Sequence, residues 1–181
     1  MQQGHGLYQA LNEAVIKAAG DYIMFLHSDD EIGKVEFQKL ELRSNRVTYG
    51  TVEFINEDGE LLFRRRAPYF PKQYLSTYPF IFHPNGIYPR ALLLKYPFDS
   101  DKYGIAADMW QIYAFRNEVE FVPTAAITYR FRIHKQSTTV KNLTRRPPLS
   151  YWFWRVYLFL FFEDHRMARI AKLLHGKRTW S

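Results

Sequence analysis

Two adjacent carboxylates, Asp29 and Asp30, are the first residues in the sequence whose types and spacing could support chemistry. They follow an apolar run at residues 22–26 (YIMFL) and the pair His27-Ser28. Mg²⁺ and Mn²⁺ prefer oxygen ligands, and they bind proteins through one or two carboxylates together with substrate phosphates. Serine and aspartate are equally favoured in helix caps and turns. The residues alone leave a cation site and a turn as alternatives.

A third acid, Asp108, lies at the start of a predicted helix in segment 103–110 (YGIAADMW). A carboxylate at this position could act as a general base that takes the proton from an attacking hydroxyl. An acid in the first turn of a helix also has a purely structural explanation, because it complements the helix dipole.

A third group of candidates, near the end of a predicted strand, consists of His134 and its basic neighbours. An imidazole could complete a cation site begun by carboxylates, and Arg130, Arg132 and Lys135 could neutralise a diphosphate. A histidine that follows a strand is also commonly solvated or satisfied within the core.

Two weaker candidates are Gly86 and the run Arg64-Arg65-Arg66. Gly86, in segment 83–90 (HPNGIYPR), could allow close approach of the backbone to a ligand, although a turn is the simpler explanation. The arginine run is typical of a solvated strand end, with phosphate or nucleic-acid contact as the alternative.

Alternating helices and strands must position these side chains. Residues 6–19 have helical spacing and end before Gly20, and the run 22–26 is typical of a buried strand in a parallel sheet. Such a strand delivers polar groups at its carboxyl end. Two strands at 46–56 and 60–65 flank the turn signal at 57–59 and predict a β-hairpin. The remaining predicted elements are extended pieces at 80–82 and 86–88, helices at 89–95 and 105–116, and strands at 119–122 and 126–131.

Composition excludes several classes of protein. The absence of cysteine among 181 residues excludes disulfide scaffolds, thiolate zinc sites and thiol catalysis, and 47% hydrophobic residues argue against disorder. The net charge of +7 favours nucleic acid, an anionic membrane surface or a phosphorylated small molecule as partner. Nothing in the sequence matches a nucleic-acid motif, so nucleic acid is the least favoured of the three.

The C-terminal segment 145–181 is rich in aromatic and basic residues, and its composition predicts a helix over about 150–175. This helix could lie peripherally in the headgroup region of an anionic membrane, or it could pack on the sheet or on a second subunit. Its most apolar part, 151–162, is too short to span a bilayer. Residues 1–6 lack the features of a signal peptide, so we expect a cytoplasmic location, with contact to the inner face of the cell membrane as an option.

Three segments in order, 6–14 (GLYQALNEA), 18–23 (AAGDYI) and 25–30 (FLHSDD), resemble the central part of family 2 glycosyltransferases. These are inverting enzymes of the GT-A fold. The resemblance implies an α/β, Rossmann-like partial GT-A fold with a hairpin insertion, and it covers roughly residues 4–140. It also implies a nucleotide-sugar donor, a saccharide or lipid-linked acceptor, and Mg²⁺ or Mn²⁺ as cofactor.

The same resemblance suggests roles for individual residues. It implies metal contacts for Asp30 and His134, ribose or metal contact for Asp29, and a catalytic base at Asp108. It further implies nucleotide-sugar binding by three residues: Gly86, Arg130 and Arg132. The sequence departs from the family pattern at His27, where Asn is common, and at Ala107, where some members carry Glu.

The strand, helix and acidic strand end with which such domains open are not found before segment 6–14. We therefore expect residues 1–144 to be an incomplete, N-terminally truncated GT-A domain followed by the helix of 145–181, with weak or no activity alone. Two alternatives stay open: a non-catalytic basic module that binds a membrane surface or nucleic acid, and an inactive remnant of an enzyme.

Overall fold

The computed structural model describes residues 6–67 and 81–134, with the side chain of Ile105 excepted. The chain divides into two units, Met1–Arg132 and Ile133–Ser181, and the fold below is that of the first unit. The predicted helix of 150–175 lies outside the described residues. Within the described ranges, no helix is long and apolar enough to cross a membrane.

The first helix, α1 (Leu7–Lys17), confirms the prediction for residues 6–19 to within two residues at each end. Its C-terminus is capped by a residue distant in sequence. The Arg90 guanidinium donates to the carbonyl oxygens of Val15 and Ile16 at 3.0 and 2.8 Å. These carbonyls belong to the last turn, where helix acceptors lack intrahelical partners and a cation is favoured.

Among the described residues, six strands form one mixed sheet, which confirms the predicted α/β class. The strand order is β1-β5-β3-β6-β2, and β4 pairs with β3. All of the pairings are antiparallel except that of β3 with β6. The strands are β1 (Tyr22–Ile23), β2 (Glu31–Ile32), β3 (Arg46–Ile55), β4 (Leu61–Arg65), β5 (Gly86–Pro89) and β6 (Glu120–Arg132).

The parallel strand predicted at residues 22–26 is wrong in both length and direction. Only Tyr22–Ile23 forms a strand, and it pairs antiparallel with β5. Of the five apolar residues Phe25 alone is buried, while Leu26 is 48% exposed. An apolar run indicates that its side chains favour burial, but it carries no information about the direction of the neighbouring strand.

The predicted β-hairpin is confirmed as β3 and β4, with Gly59 at the turn in a left-handed conformation (φ 84°). The strands predicted at 119–122 and 126–131 are a single strand, β6. Ile81 and Phe82, predicted as extended, precede a single 3₁₀ turn at His83–Asn85 and form no strand.

Three helices follow β5 and place Asp108 in the first turn of the last one. The side chain of Asn12 holds the intervening loop, since it both donates to the carbonyl of Phe98 and accepts from its N–H at 2.9 Å. Asp99 caps the next helix by accepting from the N–H of Lys102 at 3.0 Å. The helices are α2 (Arg90–Lys95), α3 (Ser100–Tyr103) and α4 (Ala107–Phe115).

The centre of the sheet is the parallel pairing of β3 with β6, and Gly50 makes their close approach possible. A Cβ at Gly50 would lie 2.3 Å from Cγ2 of Thr128 and 2.6 Å from the carbonyl oxygen of Ala126. The register between the strands shifts at this point. Glycine within a strand commonly marks such a close backbone approach.

We expect Gly50→Ala to lower the free energy of unfolding by about 3 kcal/mol, because the added methyl would collide with the backbone of β6. Gly20→Ala is the matched control: its Cβ would meet only an ordinary contact at 3.5 Å, so we expect a change within about 0.5 kcal/mol. Urea denaturation measures both values. Equal effects of the two substitutions would contradict the role given to Gly50.

Candidate functional site

Asp30 is a buried carboxylate held at both oxygens by strand β6. It is 9% exposed. The Tyr129 hydroxyl donates to Oδ2 at 2.6 Å, and the backbone N–H of Arg132 donates to Oδ1 at 2.8 Å. Burial raises the pKa of Asp30, and the two hydrogen bonds oppose that rise because they favour the ionised form.

The acidic pair also lies in a turn, which was the structural alternative for these residues. The N–H of Asp30 donates to the carbonyl of His27 at 3.1 Å and closes the turn through Ser28 and Asp29. The Asp30 side chain does not cap this turn, since its hydrogen bonds are with Tyr129 and Arg132, about 100 positions away in sequence. The turn positions the two aspartates, but it does not by itself explain why both residues are acidic.

Arg132 ties this turn to the β-hairpin. Its Nε donates to the carbonyl oxygen of Asp29 at 2.9 Å, and its Nη1 donates to the carbonyls of Asn56 and Glu57 at 3.0 and 2.7 Å. Its Nη2 pairs with the Glu31 carboxylate. All three guanidinium nitrogens therefore have partners within the protein.

Each guanidinium nitrogen of Arg130 also has a partner within the protein. Its Nε donates to Glu53 at 3.1 Å, its Nη1 pairs with Glu31, and its Nη2 donates to the carbonyl of Gly59 at 2.9 Å. Both arginines were expected to neutralise a diphosphate; the structure gives them partners within the protein, and their contact with a diphosphate stays a prediction. The physical reason is that Glu31 and Glu53 are close enough to take both positive charges.

Glu31 and Glu53 are residues that sequence reasoning missed. The Glu53 side chain is only 8% exposed and also binds Nε of Arg64 at 2.8 Å, so it is a buried anion between two cations. A signal was present in the sequence, because Glu53 is the one acid in strand β3, half of whose residues are β-branched. A buried acid of this kind requires a cationic partner.

Asp108 lies in the first turn of α4, as predicted, and its carboxylate contacts α1 as well. Oδ1 accepts from the N–H of Met109 at 2.7 Å, and the carboxylate is hydrogen-bonded to the Tyr8 side chain. Burial, followed by the charge of Asp108, raises the pKa of Tyr8 to about 12, so Tyr8 keeps its proton at neutral pH. Tyr8 belongs to the segment that carried the family resemblance, but its contact with Asp108 could not be read from the sequence.

His83 is a buried histidine that contacts helix α4 through Gln111. Burial lowers its pKa, and the hydrogen bond with Gln111 and the charge of Asp108 partly oppose that shift. The Gln111 amide donates to the carbonyl of Tyr96 at 2.7 Å, so its oxygen faces Nε2 of His83 at 2.9 Å. That arrangement assigns the imidazole hydrogen to Nε2.

Gly86 directly follows the 3₁₀ turn at His83–Asn85 and begins β5, where it is buried, so the extended piece predicted at 86–88 is confirmed. A Cβ at Gly86 would lie 2.4 Å from the Tyr88 ring, and this packing explains the glycine. The adjoining Asn85 donates to the carbonyl of Gly50 at 2.7 Å and accepts from the Thr128 hydroxyl at 3.2 Å through its own carbonyl. Segment 83–90 is thus hydrogen-bonded to the central strands of the sheet. Contact of Gly86 with a sugar stays a prediction.

His134 is the second residue of the second unit, of which the structure describes only Ile133 and His134. Its predicted approach to a metal therefore stays a prediction. Within the part of the chain that the structure describes, no group of three or more His, Asp or Glu side chains is placed to hold a metal ion. Asp29 and Asp30 still fit a narrower requirement, because Mg²⁺ is commonly held by one or two carboxylates with substrate phosphates completing its shell.

Comparison with known proteins adds one finding. Residues 1–101 match the model of glycosyl transferase family 2, which is more than half of the chain. The matched part contains Asp29, Asp30 and Gly86 and ends before Asp108. No curated protein matches the chain.

We expect Arg130→Ala to lower the free energy of unfolding by about 3 kcal/mol, because it strips the buried Glu53 carboxylate of one cation. Arg64→Ala is the matched control on the same carboxylate: its side chain is 55% exposed, so we expect less than about 1 kcal/mol. Urea denaturation gives both values. Unchanged stability of Arg130→Ala would show that the ion pair is not structural.

Proposed function

The chain belongs to glycosyltransferase family 2, and on that premise we propose that it transfers a sugar from a nucleotide-sugar donor to a saccharide or lipid-linked acceptor, with inversion at the anomeric carbon. The observation that carries the proposal is the Asp30 carboxylate. It lies in the family-matched part of a GT-A-like fold, and hydrogen bonds from β6 hold both of its oxygens.

On the donor side, Asp29 and Asp30 are the residues that would hold a divalent cation, Mg²⁺ or Mn²⁺. When bound, such a cation neutralises charge on the diphosphate that leaves the sugar. The protein's own contribution is to hold the Asp30 carboxylate and the Asp29 backbone in place, through the turn at 28–29 and the contacts from β6. Fixed ligands require less ordering when the donor binds.

On the acceptor side, Asp108 is the proposed general base. Its carboxylate takes the proton of the acceptor hydroxyl while that oxygen forms a bond to the anomeric carbon, and the bond to the nucleoside diphosphate breaks. Attack from the face opposite the leaving group inverts the configuration. The Tyr8 side chain and the N–H of Met109, both hydrogen-bonded to Asp108, restrict the carboxylate's orientation.

A lipid-linked acceptor would agree with the aromatic and basic composition of residues 145–181, which suits peripheral contact with an anionic membrane. The competing proposal of a basic binding module has lost part of its support. That proposal draws on the arginine runs, and Arg64 of the first run pairs with the buried Glu53 carboxylate.

The donor-binding proposal predicts that the chain binds a nucleoside diphosphate more tightly when Mn²⁺ is present. Calorimetry with UDP, GDP, CDP and dTDP, each with and without Mn²⁺, measures this. Asp30→Ala should abolish the Mn²⁺-dependent part of the affinity, because it removes a carboxylate ligand. Asp58→Ala, at an exposed acid in the hairpin turn, is the control and should bind as the wild type does. Equal binding by all three proteins would contradict the proposal.

The base proposal predicts that Asp108→Asn lowers kcat by about 10²–10⁴-fold while nucleotide binding is retained, because the amide cannot accept the hydroxyl proton. Release of nucleoside diphosphate from a panel of nucleotide sugars, with membrane lipid and saccharide extracts as acceptors, measures turnover. Asp101→Asn is the matched control, since Asp101 is also an acid in the first turn of a helix but is exposed. Retained turnover in Asp108→Asn would exclude Asp108 as the base.

A further inference from the structure

Tyr129 is a fully buried tyrosine in the middle of the sheet. It is 0% exposed. Its strand, β6, is paired on both sides, and Tyr129 is registered with Ile32 of β2 and with Val52 of β3. The Phe82 ring packs edge-on against it at a centroid distance of 5.9 Å. Since backbone and ring are both confined, the hydroxyl group has a fixed position.

The direction of the two hydrogen bonds at this hydroxyl follows from its partners. The N–H of His27 can only donate, so the Tyr129 oxygen accepts from it, at 3.3 Å. The hydroxyl proton is then available for Oδ2 of Asp30, at 2.6 Å. One phenol thus holds both the backbone at the start of the acidic turn and the carboxylate at its end.

The second oxygen of Asp30 is fixed from the same strand. Oδ1 accepts from the backbone N–H of Arg132 at 2.8 Å, three residues beyond Tyr129. Rotation of the carboxylate about its Cβ–Cγ bond would break both bonds together. The backbone bond survives any substitution at position 132 other than proline, whereas the bond to Oδ2 depends entirely on the Tyr129 hydroxyl.

We infer that Tyr129 is a positioning residue of the donor site, whose hydroxyl holds the Asp30 carboxylate in the orientation that binds the cation of the nucleoside diphosphate. This inference rests on the proposed function. Hydrogen bonds from surrounding residues orient carboxylate ligands, and their loss typically costs 10–100-fold in metal affinity. The role is separate from catalysis, since Tyr129 itself would touch neither sugar nor diphosphate.

The test is a titration of Mn²⁺ into wild type and Tyr129→Phe at saturating UDP, with free Mn²⁺ measured by electron paramagnetic resonance. We expect the half-saturating Mn²⁺ concentration to rise about 10–100-fold in Tyr129→Phe. Tyr88→Phe is the matched control: Tyr88 is also 0% exposed and donates one buried hydrogen bond, at 2.8 Å to the carbonyl of His83. It should lose thermal stability but keep the wild-type Mn²⁺ affinity.

A second measurement avoids any loss of stability. With 3-fluorotyrosine incorporated at position 129 in the otherwise unchanged chain, Mn²⁺ with UDP should broaden the fluorine resonance, and Mg²⁺ with UDP should not. Binding without broadening would place the cation away from Asp30 and overturn the inference.

The outcomes separate the inference from its premise. If wild type binds Mn²⁺ with none of UDP, GDP, CDP or dTDP, the proposed donor binding and the inference fall together. If wild type binds and Tyr129→Phe binds with the same Mn²⁺ affinity, the inference alone is overturned. Equal weakening in Tyr129→Phe and Tyr88→Phe would also overturn it, because a general loss of packing would then explain the effect.

Discussion

The attachment of the acidic turn to strand β6 is the interaction on which the rest of the site depends. Asp29 and Asp30 belong to a short segment between two strands of only two residues each, so local structure alone holds them weakly. Strand β6 supplies what is missing: a hydroxyl from Tyr129, and a backbone N–H and a guanidinium from Arg132. The Asp30 carboxylate and the Asp29 backbone are thus attached directly to the central sheet.

Burial of charge explains why several ion pairs accompany this attachment. Glu53 is almost completely buried, and an uncompensated carboxylate there would carry a large desolvation cost. Arg130 neutralises it from β6 and also pairs with Glu31 beside the acidic turn. The hairpin, the turn and β6 are therefore connected by ion pairs as well as by the sheet. Basic residues that look available for phosphate in the sequence are in part committed to the fold.

Sequence reasoning succeeded where the signal is local. Helix α1, the hairpin of β3 and β4, and helix α4 were predicted close to their observed bounds, because periodicity and turn residues act within a few positions. It failed for the direction of the strand at 22–26, because that direction depends on β5, a neighbour distant in sequence.

The sequence by itself determined the α/β class, the family and the acidic residues Asp29, Asp30 and Asp108 as candidates, since these follow from residue types and short spacings. Only the tertiary structure decided what surrounds them. It assigned Arg130 and Arg132 to internal ion pairs and brought Tyr129 to Asp30. The physical reason is separation along the chain: the bond from Arg132 to Asp30 joins residues 102 positions apart, and no local pattern encodes such a contact.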